Sequence, residues 1–491
     1  MALTLRSVSS WERVTRADAR PEYLAGRAAA HYRLAVAYRA QADKDRARPA
    51  FQAALDWQAK AAKAQPAERR YRSDLARVSG SVTNYLYVYE QDLGAAGKAC
   101  GDTIAALQGL VGEDDSDPRD EEEYHLAYQT LYVIALQRGR PADALASVRA
   151  ALPVAERLAR RNPRNQTAQG RVALWQHQGL TLQREPADVE SWAAKAIDTL
   201  VPLVRAAEPP RYEVWVYLLD CYSRRVEALD KLQRYAEALR DDDHRRALVE
   251  SWPKAEVRRQ AEFIQFWPDV EKHRRVDFVR ERHRDRTRWQ MTLGRFREAA
   301  QSADAAAKLA TPADAWRDRL NAAEARARDG DVSAAYGVAT ALERDPNFDP
   351  VRALDQLTKI YDLHSDRYAA NRKRNDDRIV QLLTLALQKT GAGDTAGRMR
   401  LHELRALRHT AGGRWDAAAD DWEAALNLGD AARDARAGYF RERAAHTRSN
   451  AGRPTDAVAL LEPLGTDVPD GQLFSLALAW ARLTAHDKLP L

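Results

Sequence analysis

One short pattern recurs along this chain of 491 residues and constrains its fold more than any other feature. It consists of a Gly, a Pro or bulky residue two positions later, an Ala three positions after that, and small or apolar residues four and seven positions beyond the Ala. It is found at residues 139–152 (GRPADALASVRAAL), 294–309 (GRFREAAQSADAAAKL), 330–342 (GDVSAAYGVATAL), 413–426 (GRWDAAADDWEAAL) and 452–464 (GRPTDAVALLEPL). Such self-similarity predicts an array of repeated supersecondary units.

Each part of the pattern has a physical role in a pair of helices. Gly ends the first helix because it adopts the left-handed conformation at little cost. Pro is tolerated in the first turn of the next helix, where the missing N–H has no partner to lose. The recurring alanines are expected where the two helices approach most closely: Ala144, Ala299, Ala335, Ala418 and Ala457. Each pair leaves an apolar side exposed, so neighbouring pairs must stack to bury it.

These residues resemble the tetratricopeptide (TPR) repeat. Residues 31–38 (HYRLAVAY) carry the first-helix signature of that family, and Trp175 with Gly179 repeats its Trp-to-Gly spacing. The resemblance covers most of the chain. It implies an all-α fold, a right-handed α-solenoid of stacked antiparallel helix pairs, whose usual task is to bind another protein.

The repeat spacing is longer than the usual TPR period of about 34 residues. From Gly94 to Gly139 it is 45 residues. HEAT-like repeats have a similar period of about 40–47 residues, so other helical solenoids stay open as an alternative. Long-period, Ala- and Arg-rich repeats with the sequence RYRSDLA, here residues 70–76, resemble the TPR regions attached to bacterial Ser/Thr protein kinases.

Breaks in the pattern predict four segments. They are an irregular lead-in or a frayed first helix at 1–25, an N-terminal TPR-like solenoid at 26–251, inserted helices with a basic helix at 252–293, and a C-terminal TPR-like solenoid at 294–491 that ends in a capping helix at 471–486.

Composition excludes several classes of protein. No apolar run approaches the 18 residues of a membrane span, and the first residues lack the apolar core of a signal peptide, so we expect a cytoplasmic protein. Cys100 and Cys221 are too few for a disulfide framework and fit buried helical positions. The net charge of +6 is modest and gives weak support for a nucleic-acid partner.

No motif predicts catalysis, a cofactor or a metal. His283, Arg284 and Asp285 match the start of a kinase catalytic loop, but Gln290 stands where that loop has Asn, and no nucleotide-binding loop accompanies it. Residues 391–398 (GAGDTAGR) lack the Lys of a phosphate-binding loop. His402 and His409 share a helix face without further metal ligands. We therefore expect a non-enzymatic protein.

A basic stretch at 272–288 gives the one candidate binding site. By position in the repeat, Arg284 and Arg288 of one pair and Arg317 and Asn321 of the next should face the concave groove. This resembles the carboxylate clamp by which some TPR proteins bind a peptide C-terminus, and Arg binds carboxylates in bidentate fashion. A solvated basic helix and a nucleic-acid surface are the alternatives.

The sequence therefore predicts a non-catalytic scaffold that binds a peptide or helix of a protein partner in a concave groove. The resemblance to kinase-attached repeats adds a more specific hypothesis, namely that the chain takes part in docking or regulation in a bacterial Ser/Thr kinase system. A helical solenoid that binds nucleic acid through residues 272–288 is the alternative function; we favour a protein partner and expect no membrane association.

Overall fold

The computed structural model describes residues 2–111, 116–206, 212–251 and 275–461. These residues form 21 α-helices, and no strand occurs among them. Contacts divide the chain into two units, Met1–Val270 and Glu271–Leu491. In each unit consecutive helices pack against one another in antiparallel pairs, so the predicted solenoid of stacked helix pairs is confirmed.

The N-terminal unit holds eleven of the described helices. Their bounds are α1 Ala2–Ala17, α2 Pro21–Ala40, α3 Lys44–Ala64, α4 Arg69–Asn84, α5 Leu93–Leu107, α6 Pro118–Gln137, α7 Pro141–Arg161, α8 Gln166–Thr181, α9 Pro186–Ala206, α10 Tyr212–Lys231 and α11 Tyr235–Glu250. A π-helical turn, Tyr85–Glu90, extends α4.

The C-terminal unit holds the other ten. Their bounds are α12 Val276–Thr292, α13 Phe296–Leu309, α14 Ala315–Arg328, α15 Val332–Leu342, α16 Pro350–Arg367, α17 Arg372–Lys389, α18 Thr395–Ala411, α19 Trp415–Ala432, α20 Ala437–Asn450 and α21 Pro454–Leu461. A short 3-10 turn, Ala369–Asn371, lies between α16 and α17.

The turns inside the pairs follow one geometry. In seven pairs the two helices are joined by three residues, and the middle one has a left-handed φ: Ala42, Gly139, Gln233, Gly294, Gly330, Gly413 and Gly452. The next N–H reaches back to a carbonyl five residues earlier, as from Arg140 to Ala135 at 2.8 Å. This hydrogen bond belongs to the Schellman motif that ends helices. The predicted role of the recurring Gly is confirmed.

The recurring alanines lie at the helix contacts. Ala144, Ala299, Ala335, Ala418 and Ala457 are all 0% exposed. Large side chains fill the spaces between neighbouring pairs, and the largest fully buried ones are Trp175, Trp289 and Trp422. Both cysteines are buried as well, and burial raises the pKa of Cys100 to about 11. The core therefore consists of small alanines at the helix contacts and large apolar side chains between pairs, as the repeat pattern predicts.

The first helices of successive pairs also contact one another. Such contacts join α4 to α6 and α8 to α10 in the N-terminal unit, and α12 to α14 and α14 to α16 in the C-terminal unit. The first helices thus form a layer of their own within each unit. Residues of this layer form most of the lining of the cavities described below.

Several predicted boundaries differ from the structure. Of the two alternatives for the first residues, an irregular lead-in and a first helix, residues 2–17 form a helix, α1, where buried Val8 packs on the next pair. Gly94 lies inside α5, and the left-handed turn residue is Gln91, so the interval to Gly139 is 48 residues.

The predicted insertion and capping helix fall partly outside the described residues. Residues 252–274 and 471–486 belong to the parts of the chain that the structure does not describe. The basic helix of the expected insertion, α12, is described. It packs against α13 as the first helix of an ordinary pair.

Candidate functional site

The four predicted clamp residues lie on two neighbouring first helices. Arg284 and Arg288 are on α12, and Arg317 and Asn321 are on α14. These two helices contact each other, so the repeat register correctly placed the residues on adjacent elements. The partner that each side chain contacts in the structure differs from the ligand carboxylate that the clamp hypothesis predicts.

Arg284 binds a buried carboxylate of its own chain. Its Nε donates to Oδ1 of Asp318 at 2.7 Å, and its Nη2 donates to Oδ2 at 3.2 Å. Asp318 is 1% exposed on its side chain and also accepts two hydrogen bonds from Arg280, at 3.1 and 3.0 Å. The guanidinium that was expected to bind a ligand carboxylate is therefore bound to an internal one. No local pattern indicates this pairing, because 34 residues separate Arg284 from Asp318.

The other clamp residues have local partners. Arg288 is exposed and pairs with Asp285 at 3.1 Å. The Arg317 guanidinium lies 5.3 Å from the centre of the Trp316 ring, and Asn321 Oδ1 accepts a hydrogen bond from Gln356 at 2.8 Å. Each of the four residues therefore has a partner within the chain.

The basic helix α12 is largely neutralised by acidic neighbours. Arg280 contacts Asp314 and Asp318, Arg282 and Arg288 contact Asp285, and Arg275 contacts Asp277. A nucleic-acid surface needs cations that are available to phosphates. These ion pairs favour the interpretation of α12 as a structural helix over that of a nucleic-acid surface.

A large open groove lies on the first-helix layer of the N-terminal unit. Its volume is about 570 Å³, and it is lined by Glu22, Ala25, Gly26, Ala29, Tyr32, Gln58, Arg70, Tyr71, Asp74, Arg77, Val78, Ser81 and Glu123. Apart from Gln58, every one of these residues lies on α2, α4 or α6. We call this cavity the main groove.

Polar contacts brace the walls of the main groove. The hydroxyls of Tyr32 on α2 and Ser81 on α4 lie 3.0 Å apart, which joins the two walls. Gln58 Nε2 donates to the backbone carbonyl of Tyr71 at 3.1 Å. The groove is therefore shaped by side chains that already have partners, as expected for a preformed binding site.

Glu123 projects from α6 into this groove against α4. A Cβ placed on Gly80 would lie 2.4 Å from Glu123 Oε2, so the carboxylate occupies the space that the missing side chain leaves. Burial raises the pKa of Glu123 above its usual value of 4.5, and the positive charge of Arg77 opposes this effect. Sequence reasoning did not single out Glu123, since it lies in a run of acids that reads as the start of a helix.

A second, smaller compartment continues beyond Glu123. Its volume is about 130 Å³, and its lining comprises Gly80, Thr83, Asn84, Tyr87, Val88, Glu123, Leu126, Ala127 and Thr130. Part of this wall is the π-helical turn at the end of α4. Insertions of this type are rare in helices and frequent at functional sites. We call this cavity the apolar compartment.

Histidines elsewhere serve packing and hydrogen bonding. His402 Nδ1 lies 2.8 Å from Asp421 Oδ1, and Arg405 donates to the same carboxylate at 2.6 and 2.8 Å. Burial alone would raise the pKa of Asp421, but the hydrogen bonds from His402 and Arg405 hold it below the usual value. Within the described ranges, no group of three or more His, Cys, Asp or Glu side chains could hold a metal ion.

In the part of the chain that the structure covers, no helix is both long enough and apolar enough to span a bilayer.

Comparison with known proteins gives a limited result. No protein-family model and no curated protein matches the chain. Similar solved structures include yeast Tom70, with 12% identity over 98% of this chain and 92% of that chain and a TM-score of 0.27. Another is Naa15/Naa10 bound to HypK-THB, with 12% identity over 94% of this chain and 73% of that chain and a TM-score of 0.29. A third is a Rap protein in complex with Competence and Sporulation Factor, with 13% identity over 84% of this chain and 98% of that chain and a TM-score of 0.22. At these TM-scores the conclusion on the fold rests on the helix pairs of this chain itself.

Proposed function

We propose that this chain is a non-catalytic scaffold that binds a peptide or helix of a partner protein in the main groove. The observation that carries the proposal is the open cavity of about 570 Å³ on the first-helix layer. A groove between parallel first helices can accept an extended segment or a helix along its length. Braced walls favour binding, since less side-chain freedom is lost when the partner docks.

The experiment is a nuclease-treated pull-down from the source lysate with bound proteins identified by mass spectrometry. Ala29 is exposed on the groove wall, and Ala29→Arg should fill the groove without disturbing the core. Ala59→Arg is the matched control, because Ala59 is exposed on α3 and does not line the groove. A defined protein that is retained by wild type and Ala59→Arg but lost with Ala29→Arg supports the proposal. Equal capture by all three refutes groove binding.

The carboxylate clamp stays a separate proposal for the C-terminal unit. A ligand carboxylate would have to share or displace the Asp318 contact of Arg284. The variant Arg284→Glu/Arg288→Glu in the same pull-down tests it. Loss of a defined partner supports the clamp, whereas unchanged capture retires it.

A role in docking or regulating a bacterial Ser/Thr kinase is the finer form of the proposal. It is supported by the resemblance of residues 70–76 and the long repeats to kinase-attached regions. Capture of a Ser/Thr kinase that depends on the main groove would support it, and a set of groove-dependent partners without any kinase would count against it. In a parallel sample without nuclease, retention of nucleic acid in place of protein would point to the alternative function.

A further inference from the structure

Glu123 occupies the junction between the two cavities of the N-terminal unit. It lines both the main groove and the apolar compartment. A ligand that extends from one cavity into the other must pass this carboxylate. The charge of Glu123 and the side chains that pair with it therefore determine which chemical class of ligand binds across both cavities.

The Glu123 carboxylate has no hydrogen-bond or ion-pair partner among the described residues. Arg77, whose positive charge acts on Glu123, is bound by Asp74 at 3.0 Å and lies 3.9 Å from Asp120. A partly buried carboxylate without a partner is unfavourable, because it loses hydration and gains no compensating contact. An incoming cation or N–H donor would remove this cost.

Gly80 supports a specific role for this arrangement. In mid-helix, Gly is less favourable than Ala, because it loses more backbone freedom on folding. The atoms that a Cβ at Gly80 would meet within 4 Å are the carboxylate atoms of Glu123. The missing side chain thus accommodates an ionisable group that makes no contact stabilising the fold. A carboxylate that is held in a cavity without a partner is better explained by a role in binding a ligand than by a role in packing.

The apolar compartment lies directly beyond Glu123. Val88 is 54% exposed and Leu126 is 44% exposed, and both line it. Single exposed apolar residues are common on protein surfaces, whereas a concave group of them indicates a binding site. An apolar side chain of a ligand would bury Val88 and Leu126 together.

We propose that these two cavities bind a partner segment that carries Lys or Arg next to an apolar residue. The cationic side chain pairs with Glu123, and the apolar side chain fills the compartment lined by Val88 and Leu126. Charge complementarity selects this occupant, since the carboxylate is unpaired while the groove cation Arg77 is bound to Asp74. This inference rests on the proposed function, which it narrows to one ligand chemistry.

The test starts from peptides of defined sequence. A phage-displayed library of random dodecapeptides is selected on the full-length wild-type chain. Enriched peptides are synthesised with a fluorescent label, and their affinities are measured by fluorescence anisotropy for wild type and variants. The key variant is Glu123→Gln. The matched control is Glu122→Gln, which removes the same charge one residue away, where the side chain contacts Arg171.

The expected result is enrichment of peptides with Lys or Arg beside an apolar residue. Their affinity should fall at least tenfold in Glu123→Gln, which corresponds to about 1.4 kcal/mol, and change less than twofold in Glu122→Gln. Val88→Asp should weaken the same peptides by removing the apolar wall. Since the carboxylate is unpaired, Glu123→Gln should fold normally, which thermal melting by circular dichroism checks.

Other outcomes overturn the inference. Enriched peptides that lack basic residues, or that bind wild type and Glu123→Gln equally, would show that the groove binds peptides of another chemistry. The proposed function would then stand. Enrichment of acidic peptides would point to Arg70 as the anchor and also refute the inference. If no peptide is enriched, the inference fails. In that case the pull-down with Ala29→Arg decides independently whether the groove binds proteins.

Discussion

Replacing Asp318 by Asn should destabilise the C-terminal unit substantially. The change keeps the shape of the side chain and removes the negative charge between Arg280 and Arg284. Removing one partner of a buried ion pair costs roughly 3–5 kcal/mol, because the remaining charge stays buried without compensation. Here Arg280 keeps a contact with Asp314 at 3.3 Å, and Arg284 keeps one with Glu281 at 3.6 Å. We therefore expect a loss of about 2–3 kcal/mol, somewhat below that range.

Urea unfolding followed by tryptophan fluorescence measures this loss. Trp289 on α12 and Trp316 on α14 are both buried, on the two helices that carry the ion pair, so their fluorescence reports the C-terminal unit. Asp277→Asn serves as the control. Asp277 lies in the first turn of α12 and pairs with Arg275, both side chains are exposed, and a surface pair contributes about 0–1 kcal/mol.

A double-mutant cycle tests the cause of the effect. Arg284→Met alone removes one cation from the buried carboxylate, and combined with Asp318→Asn it leaves no unpaired charge at that position. The double variant should lose less stability than the sum of the single variants. If Asp318→Asn is as stable as wild type, or if the effects simply add, the buried pair is not a stabilising unit and the reasoning is wrong.

Three further predictions follow from single contacts. Gly179→Ala should lower the free energy of unfolding by about 1–3 kcal/mol, because the new Cβ would lie 2.3 Å from the Trp192 ring. Gly170→Ala on the same helix places its Cβ in open space and should raise the free energy of unfolding by about 0.5–1 kcal/mol. Equal melting temperatures for the two variants would contradict this reasoning. Gln233→Gly should stabilise the N-terminal unit by about 1 kcal/mol, since Gln233 has a φ of 59°, and an unchanged urea midpoint would argue against strain there. The affinity of a basic peptide should fall as the pH drops through the raised pKa of Glu123, because the protonated carboxyl cannot pair with a cation, and anisotropy titrations of Glu123→Gln should show no such pH dependence.

The fold was largely predictable because its signals are local. A turn Gly such as Gly139 and a contact Ala such as Ala144 act within one helix pair, and both have the predicted conformation and burial. Non-Gly residues at the same turn position, Ala42 and Gln233, show where local signals fail. At those positions the packing of the pair imposes a backbone conformation that the residue itself does not favour.

The candidate sites depended on contacts between repeats, which the sequence does not encode locally. The register placed Arg284 on a first helix, but only the packing of α12 against α14 brings Asp318 to it. Likewise, Gly80 and Glu123 are 43 residues apart, and nothing in either segment indicates that one makes room for the other.

The sequence by itself determined that this chain is a stack of helix pairs, because helix ends, close Ala contacts and apolar faces each depend on residues a few positions apart. Only the tertiary structure determined which charged side chains are paired within the chain and which remain available to a ligand. Desolvation and pairing depend on the side chains that stacking brings together across about 35 to 50 residues of chain, so Asp318 binds two arginines while Glu123 remains an unpaired carboxylate in an open groove.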